Sequence, residues 1–228
     1  TYADSGKPTV SSFSSSTANG SYNSGEAINI TANMTESILA GSQMTVTLST
    51  SDLIELTALQ NGTTLVGTYT VSGADSSGDL SISSFSLTDA AGNTDSVVDA
   101  YGNAMSSTTL PASDNLADNA ALVIDNLALF AGATVSVGTN PAAGGTFALT
   151  FNESVGNTSG ISTEIANNAI FGATATKAET VWSNSDKIAT VTLGAGETLN
   201  ADYNLILASV KDLAGNEATD ITYILDIT

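Results

Sequence analysis

Ala27-Ile28-Asn29-Ile30-Thr31-Ala32-Asn33-Met34 alternates apolar and polar residues without a break. A strand turns successive side chains to opposite faces, so Ile28, Ile30, Ala32 and Met34 share one side and Asn29, Thr31 and Asn33 the other. One buried and one solvated face describes a half-buried antiparallel strand. The same habit recurs at 44–48, 65–71, 80–87 and 121–124. In the second half it returns at 146–151, 169–175, 180–183, 188–193, 203–210 and 221–227, with Gly, Ser, Asn and Asp clusters between the runs. Beyond one helical turn expected at 162–168, no amphipathic helix is legible. Short strands at this spacing predict an all-β protein with a sandwich in each half.

An acidic marker divides the halves. Val123-Ile124-Asp125 closes the first run of strands as Ile224-Leu225-Asp226 closes the second, and Asp4 stands at the matching place before the first. The intervals are each one domain long, which predicts domains at 1–125 and 126–228. Junctions at both ends predict a piece of a longer array. A second acid recurs after the second strand of each half, in Met34-Thr35-Glu36-Ser37-Ile38 and Phe151-Asn152-Glu153-Ser154-Val155.

Composition narrows the chemistry. The 23 acidic residues face four lysines and no arginine, for a formal charge of −19. Phosphate binding needs clustered Lys and Arg, so nucleic acid and anionic membrane surfaces are excluded as partners, and divalent cations are the natural counter-charge. Histidine and cysteine are absent. That removes thiol nucleophiles, Ser-His-Asp catalysis, zinc sites and disulfides, and the chain reads as a non-enzyme. No apolar run approaches the roughly 20 residues of a membrane span.

A short pattern, D-x-x-G-N, occurs three times: Asp89-Ala-Ala-Gly92-Asn93, Asp99-Ala-Tyr-Gly102-Asn103 and Asp212-Leu-Ala-Gly215-Asn216. Composition predicts about 0.1 copies by chance, which points to a repeated structural unit. Two readings fit these residues. Asp and Asn oxygens beside a bend at glycine suit a hard cation such as calcium. The same residues also suit a metal-free β-turn, with Asp first, Gly fourth and Asn tolerating the left-handed region. A strand ending in Glu36 or Glu153 at the rim can lean its carboxylate toward such a loop. The candidate metal ligands are therefore Glu36, Asp89, Asn93, Asp95, Asp99 and Asn103 in the first half, Glu153, Asp212 and Asn216 in the second, and Asp4, Asp125 and Asp226 at the junctions.

Together these landmarks resemble the tandem bacterial immunoglobulin-like, cadherin-like modules of large surface proteins such as repeat-in-toxin adhesins and surface-layer proteins. In that family an apolar-x-Glu-x-Val element follows the second strand, D-x-A-G-N precedes the last, and Ile-Asp-Thr-x-Ala-Pro joins modules. Met34 to Ile38 and Phe151 to Val155 match the first element. Asp89 to Asn93 and Asp212 to Asn216 match the second, and Lys7-Pro8-Thr9-Val10 with Ile124-Asp125 matches part of the third. Asp125-Asn126 runs into Leu127 without Ala-Pro, a departure that predicts a differently built central junction. The resemblance implies two tandem immunoglobulin-like Greek-key β-sandwiches, Ca2+ at rims and junctions, and a structural role at the cell surface beside neighbouring modules or copies of the same protein. The competing expectation is a carbohydrate-binding sandwich pair that holds cell-surface glycans through Trp182 or Tyr101 and the rim acids.

Overall fold

The computed structural model describes residues 5–127, 129, 134–136, 144–167, 179–194 and 202–226, so Asp4 and the strand expected at 169–175 lie outside the described residues. Strand dominates and the sheets are built mainly from antiparallel pairs. The chain divides into two compact units, Thr1–Asn126 and Leu127–Thr228. Among the described residues, no helix is long and apolar enough to cross a membrane.

Unit 1 contains β1 (Val10–Ser14), β2 (Gly20–Tyr22), β3 (Ala27–Ile38), β4 (Gln43–Leu48), β5 (Leu53–Thr57), β6 (Gly62–Thr70), β7 (Ile82–Ser86), the single-turn helix α1 (Leu116–Asn119) and β8 (Leu122–Ile124). Six strands form one sheet in the order β1-β3-β6-β5-β4-β7, and β2 pairs with β8 in parallel. The alternation of β3 decides which face is dry: Ile28, Ile30, Ala32 and Met34 are buried in one cluster with Val46, Leu48, Leu56, Leu65 and Phe85. Each such large side chain contributes about 1.5–3 kcal/mol by leaving water. Phe13 on β1 and Phe85 on β7 belong to opposite ends of the strand order, yet their rings meet edge to face at 5.8 Å. The sheet therefore curls around its own core. A Cβ at Gly67 on β6 would lie 2.5 Å from the Glu55 carbonyl oxygen, so only glycine lets β6 press this closely on β5.

Unit 2 contains β9 (Thr134–Ser136), β10 (Thr146–Thr150), α2 (Thr158–Asn167), β11 (Glu179–Ser183), β12 (Ile188–Thr192), β13 (Tyr203–Lys211) and β14 (Glu217–Asp226). The described strands form two sheets, β10-β12-β11 and β13-β14-β9, the last pair parallel. The Tyr223 hydroxyl on β14 donates to the Thr150 carbonyl on β10 at 2.7 Å, fastening one sheet to the other across a core of Phe147, Leu149, Val191, Leu205 and Leu207. Helix α2 is longer than the single turn its sequence suggests. Its buried Ile161 and Ile165, four residues apart, share one face, and tertiary packing of that face sustains a helix whose Ser, Thr and Gly content disfavours it.

Candidate metal centre

All three D-x-x-G-N copies fold into the same turn. The Gly N–H donates to the Asp carbonyl at 3.1, 3.3 and 3.3 Å, the type I closure, and the Asp N–H donates to the Asn carbonyl at 2.9, 3.1 and 3.2 Å. Each glycine sits at φ = +87°, the left-handed region in which a Cβ would be strained. The aspartate carboxylate completes the turn. Its Oδ1 accepts the Asn backbone N–H at 2.7, 2.8 and 2.9 Å, and its Oδ2 accepts the Asn side-chain amide at 2.7, 2.8 and 2.8 Å. Flanking residues pair outside each turn, Thr88 with Thr94, Val98 with Ala104 and Lys211 with Glu217, so every copy caps a hairpin. Asn93, Asn103 and Asn216 thus use their amide groups to brace the aspartate.

The turns at Asp99 and Asp212 occupy matching positions in the two units. Ile38 bridges to Asp99 and Val155 to Asp212, each partner standing two residues after the recurring glutamate, Glu36 within β3 and Glu153 three residues past the end of β10. The next residues repeat the match: Leu39 N–H donates to Val98 at 2.8 Å, and Gly156 N–H to Lys211 at 2.7 Å. Gly156 is required there, because a Cβ would strike the Asp212 carbonyl. Both aspartates are sealed, at 1% and 4% exposure. Glu153, half-buried, brings a carboxylate oxygen within 4.8 Å of one on Asp212. Glu36 is likewise half-buried at the end of β3.

Asp89 heads a different arrangement. One carboxylate oxygen each from Glu55, Asp89 and Asp95 lies within 4.8 Å of the others, close to the span of about 5 Å between opposite ligands of a calcium ion. Strand β5 carries Glu55, the first turn carries Asp89, and the link between the two turns carries Asp95. Asp95 is 8% exposed and accepts a hydrogen bond from the Thr45 hydroxyl at 3.2 Å, while Gln43 donates to Glu55 at 2.6 Å. Thr45, Leu53, Glu55, Asp89, Ala90 and Ala91 line an open pocket at this place. Carboxylate oxygens have two lone pairs each, so these hydrogen bonds leave acceptor capacity for a metal. This cluster can hold a metal ion, and its all-oxygen donor set suits a hard cation. Glu55 was missed in the sequence because its strand was not read there.

Hydrogen bonding favours the ionised form of the two turn aspartates of unit 1, Asp89 and Asp99. The Asn93 side-chain amide, followed by its backbone N–H, holds the Asp89 carboxyl below the usual range. Burial pushes the Asp99 carboxyl up, but hydrogen bonds from Asn103, Tyr101 and Gly102 outweigh it and the net shift is downward. Among the described residues the ion pair is Lys211–Glu217, at 3.3 Å on the exposed rim of unit 2, so no lysine pairs with the Glu55–Asp89–Asp95 cluster. Half-buried Asp125 donates its N–H to Tyr22 at 2.9 Å, and half-buried Asp226 ends β14. Trp182 stacks on Phe151 with ring centroids 5.7 Å apart and donates to Ser162 at 2.8 Å, which commits the indole to packing. Tyr101, at the tip of the second turn, is 71% exposed. No protein-family model and no curated protein matches the sequence.

Proposed function

We propose that this chain is a pair of tandem immunoglobulin-like Greek-key modules that form a structural segment of an extracellular bacterial or archaeal surface protein, stiffened by calcium at loop rims and junctions. The convergence of Glu55, Asp89 and Asp95 carries the reading, because a self-braced turn presents one carboxylate beside two others on an otherwise cation-poor chain. Support for the module fold comes from the six-strand order of unit 1 and from the parallel pairing of the last strand in both units. Glu153 and Asp212 form a second proposed site, in unit 2, with Glu36 and Asp99 at the matching place in unit 1. Asp4, Asp125 and Asp226 are the proposed junctional carboxylates.

A site of the ~10⁻⁴ to 10⁻³ M affinity seen in extracellular modules fills only in a calcium-rich medium. Filling to about 10 to 100 times the dissociation constant adds roughly 1.4–2.7 kcal/mol per site to the folded state. Native mass spectrometry and melting curves in calcium, magnesium and chelator test this. Calcium adducts and a higher Tm that disappear together in a Glu55→Gln/Asp95→Asn variant support the reading. Identical masses and melts in calcium and chelator would refute it.

A further inference from the structure

The two edges of the unit 1 sheet are nearly the same strand. β1 reads Val10-Ser11-Ser12-Phe13-Ser14 and β7 reads Ile82-Ser83-Ser84-Phe85-Ser86. In each, the first and fourth residues are buried, and the second, Ser11 or Ser83, is the extra residue of a bulge against the neighbouring strand. Neither strand carries a charge or a proline, although the whole chain has a formal charge of −19. Natural sheets blunt their edges with charge or proline, or cover them. Unit 1 covers them.

One short segment does so for both edges. On β1, the Phe13 N–H donates to the Asp114 carbonyl at 2.8 Å, and the Asn119 side-chain amide donates to the Phe13 carbonyl at 2.9 Å. On β7, the carboxamide of Asn115 stands in for a peptide: its Oδ1 accepts the Ile82 N–H and its Nδ2 donates to the Ile82 carbonyl, both at 2.9 Å. Leu116 of α1 is fully buried in the core beside them. Residues 106–113, which lead into the segment, make no backbone–backbone hydrogen bond among the described residues. The segment is therefore held mainly by these four bonds and by Leu116, the kind of local attachment that can open without global unfolding.

We propose that residues 114–119 are a strap that withholds the two edge strands from a second copy of this chain, and that β1 of one copy pairs with β7 of another when the strap is lifted. The edges themselves name the occupant. Two nearly identical strands that fit one strap present equivalent pairing groups to each other, and their lack of charge makes them the place where copies of an acidic chain repel least. Pairing of β1 with β7 is head to tail, so it can repeat from copy to copy. The proposal needs no cation.

Two variants of the full chain test it. Asn119→Ala removes the bond to the Phe13 carbonyl and leaves the helix cap in place. Asn115→Asp keeps the cap and the acceptor for Ile82 but loses the donor to its carbonyl, and the double variant combines both losses. In dilute solution the Phe13 and Ile82 amides of the double variant should exchange about tenfold faster or more by NMR, while the Ile30 amide inside the sheet keeps its rate. With salt to screen the net charge, raising the concentration should give dimers and larger species in sedimentation, with Phe13 and Ile82 regaining protection, while wild type stays monomeric. Asn119→Ala alone should show the same changes in weaker form. Unchanged exchange at Phe13 and Ile82 would overturn the strap. Faster exchange in a variant that stays monomeric at every concentration, or wild type that associates as readily as the variants, would overturn the pairing between copies.

Discussion

Asp89 and Asp99 head turns ten residues apart with the same internal hydrogen bonds, yet their surroundings differ completely. The first lies at the surface beside Glu55 and Asp95, whereas the second is buried against the end of β3, where Ile38 bridges to it. Asp212 repeats the buried form in unit 2. The difference teaches that the five-residue pattern encodes a way to close a hairpin. Any capacity to hold an ion comes from what the rest of the unit brings to the rim.

Perturbing the buried form carries the largest expected effect. In Gly156→Ala the new methyl meets the Asp212 backbone, which cannot swing aside, so unit 2 should lose about 3 kcal/mol or more and melt well before unit 1 in calorimetry. Asp212→Ala takes the acceptors from the half-buried Asn216 donors and should cost about 1–3 kcal/mol. Asp89→Ala should barely move the Tm in chelator while abolishing cation binding at the Glu55–Asp89–Asp95 cluster. Equal melting losses at Asp89 and Asp212 would break the comparison.

Acid offers a gentler probe. Asp89 and Asp99 have folded-state values below the unfolded value of about 3.9, so their contribution is complete above about pH 4 and is lost as the pH falls through the lower folded values. Acid melts should therefore show a Tm decline that begins below about pH 4, and Asp99→Asn should flatten part of it. The smallest effect concerns a turn built the other way. Between β11 and β12, Asn184, Ser185 and Asp186 all have positive φ without a glycine among them. Ser185→Gly should stabilise unit 2 by about 0.5–1 kcal/mol, and a melting curve that shifts downward would contradict this.

Much of the architecture was legible in residues 27–34, because β3 alternates cleanly and runs through the core. The neighbouring β1 was not, since Val10 and Phe13 are both buried although three residues apart. A register shift between Val10 and Ser12 absorbs the odd residue, and a bulge of this kind hides a strand from any period-two reading. β2 is three residues long and has no period to find. In β5 Ile54 and Leu56 face the core, but Leu53 puts an apolar residue on the outer face as well, so no clean alternation marks the strand. That last gap concealed Glu55, since a carboxylate 34 positions before Asp89 gains meaning only once β5 is set beside the rim. The repeated aspartates were visible at once. Which of them would be sealed and which would face water depended on long-range packing that no local pattern records.

A hairpin cap that closes through its own side chains asks nothing of the strands it joins except that they arrive side by side. Such a loop is portable. A second copy can be spliced after the first as a further rung, lengthening the rim while the register of the sheet beneath stays put, and the tandem pair at Asp89 and Asp99 has the form such a duplication would leave. Diversity at this end of the molecule can grow by stacking closures, with the core left to conserve the fold.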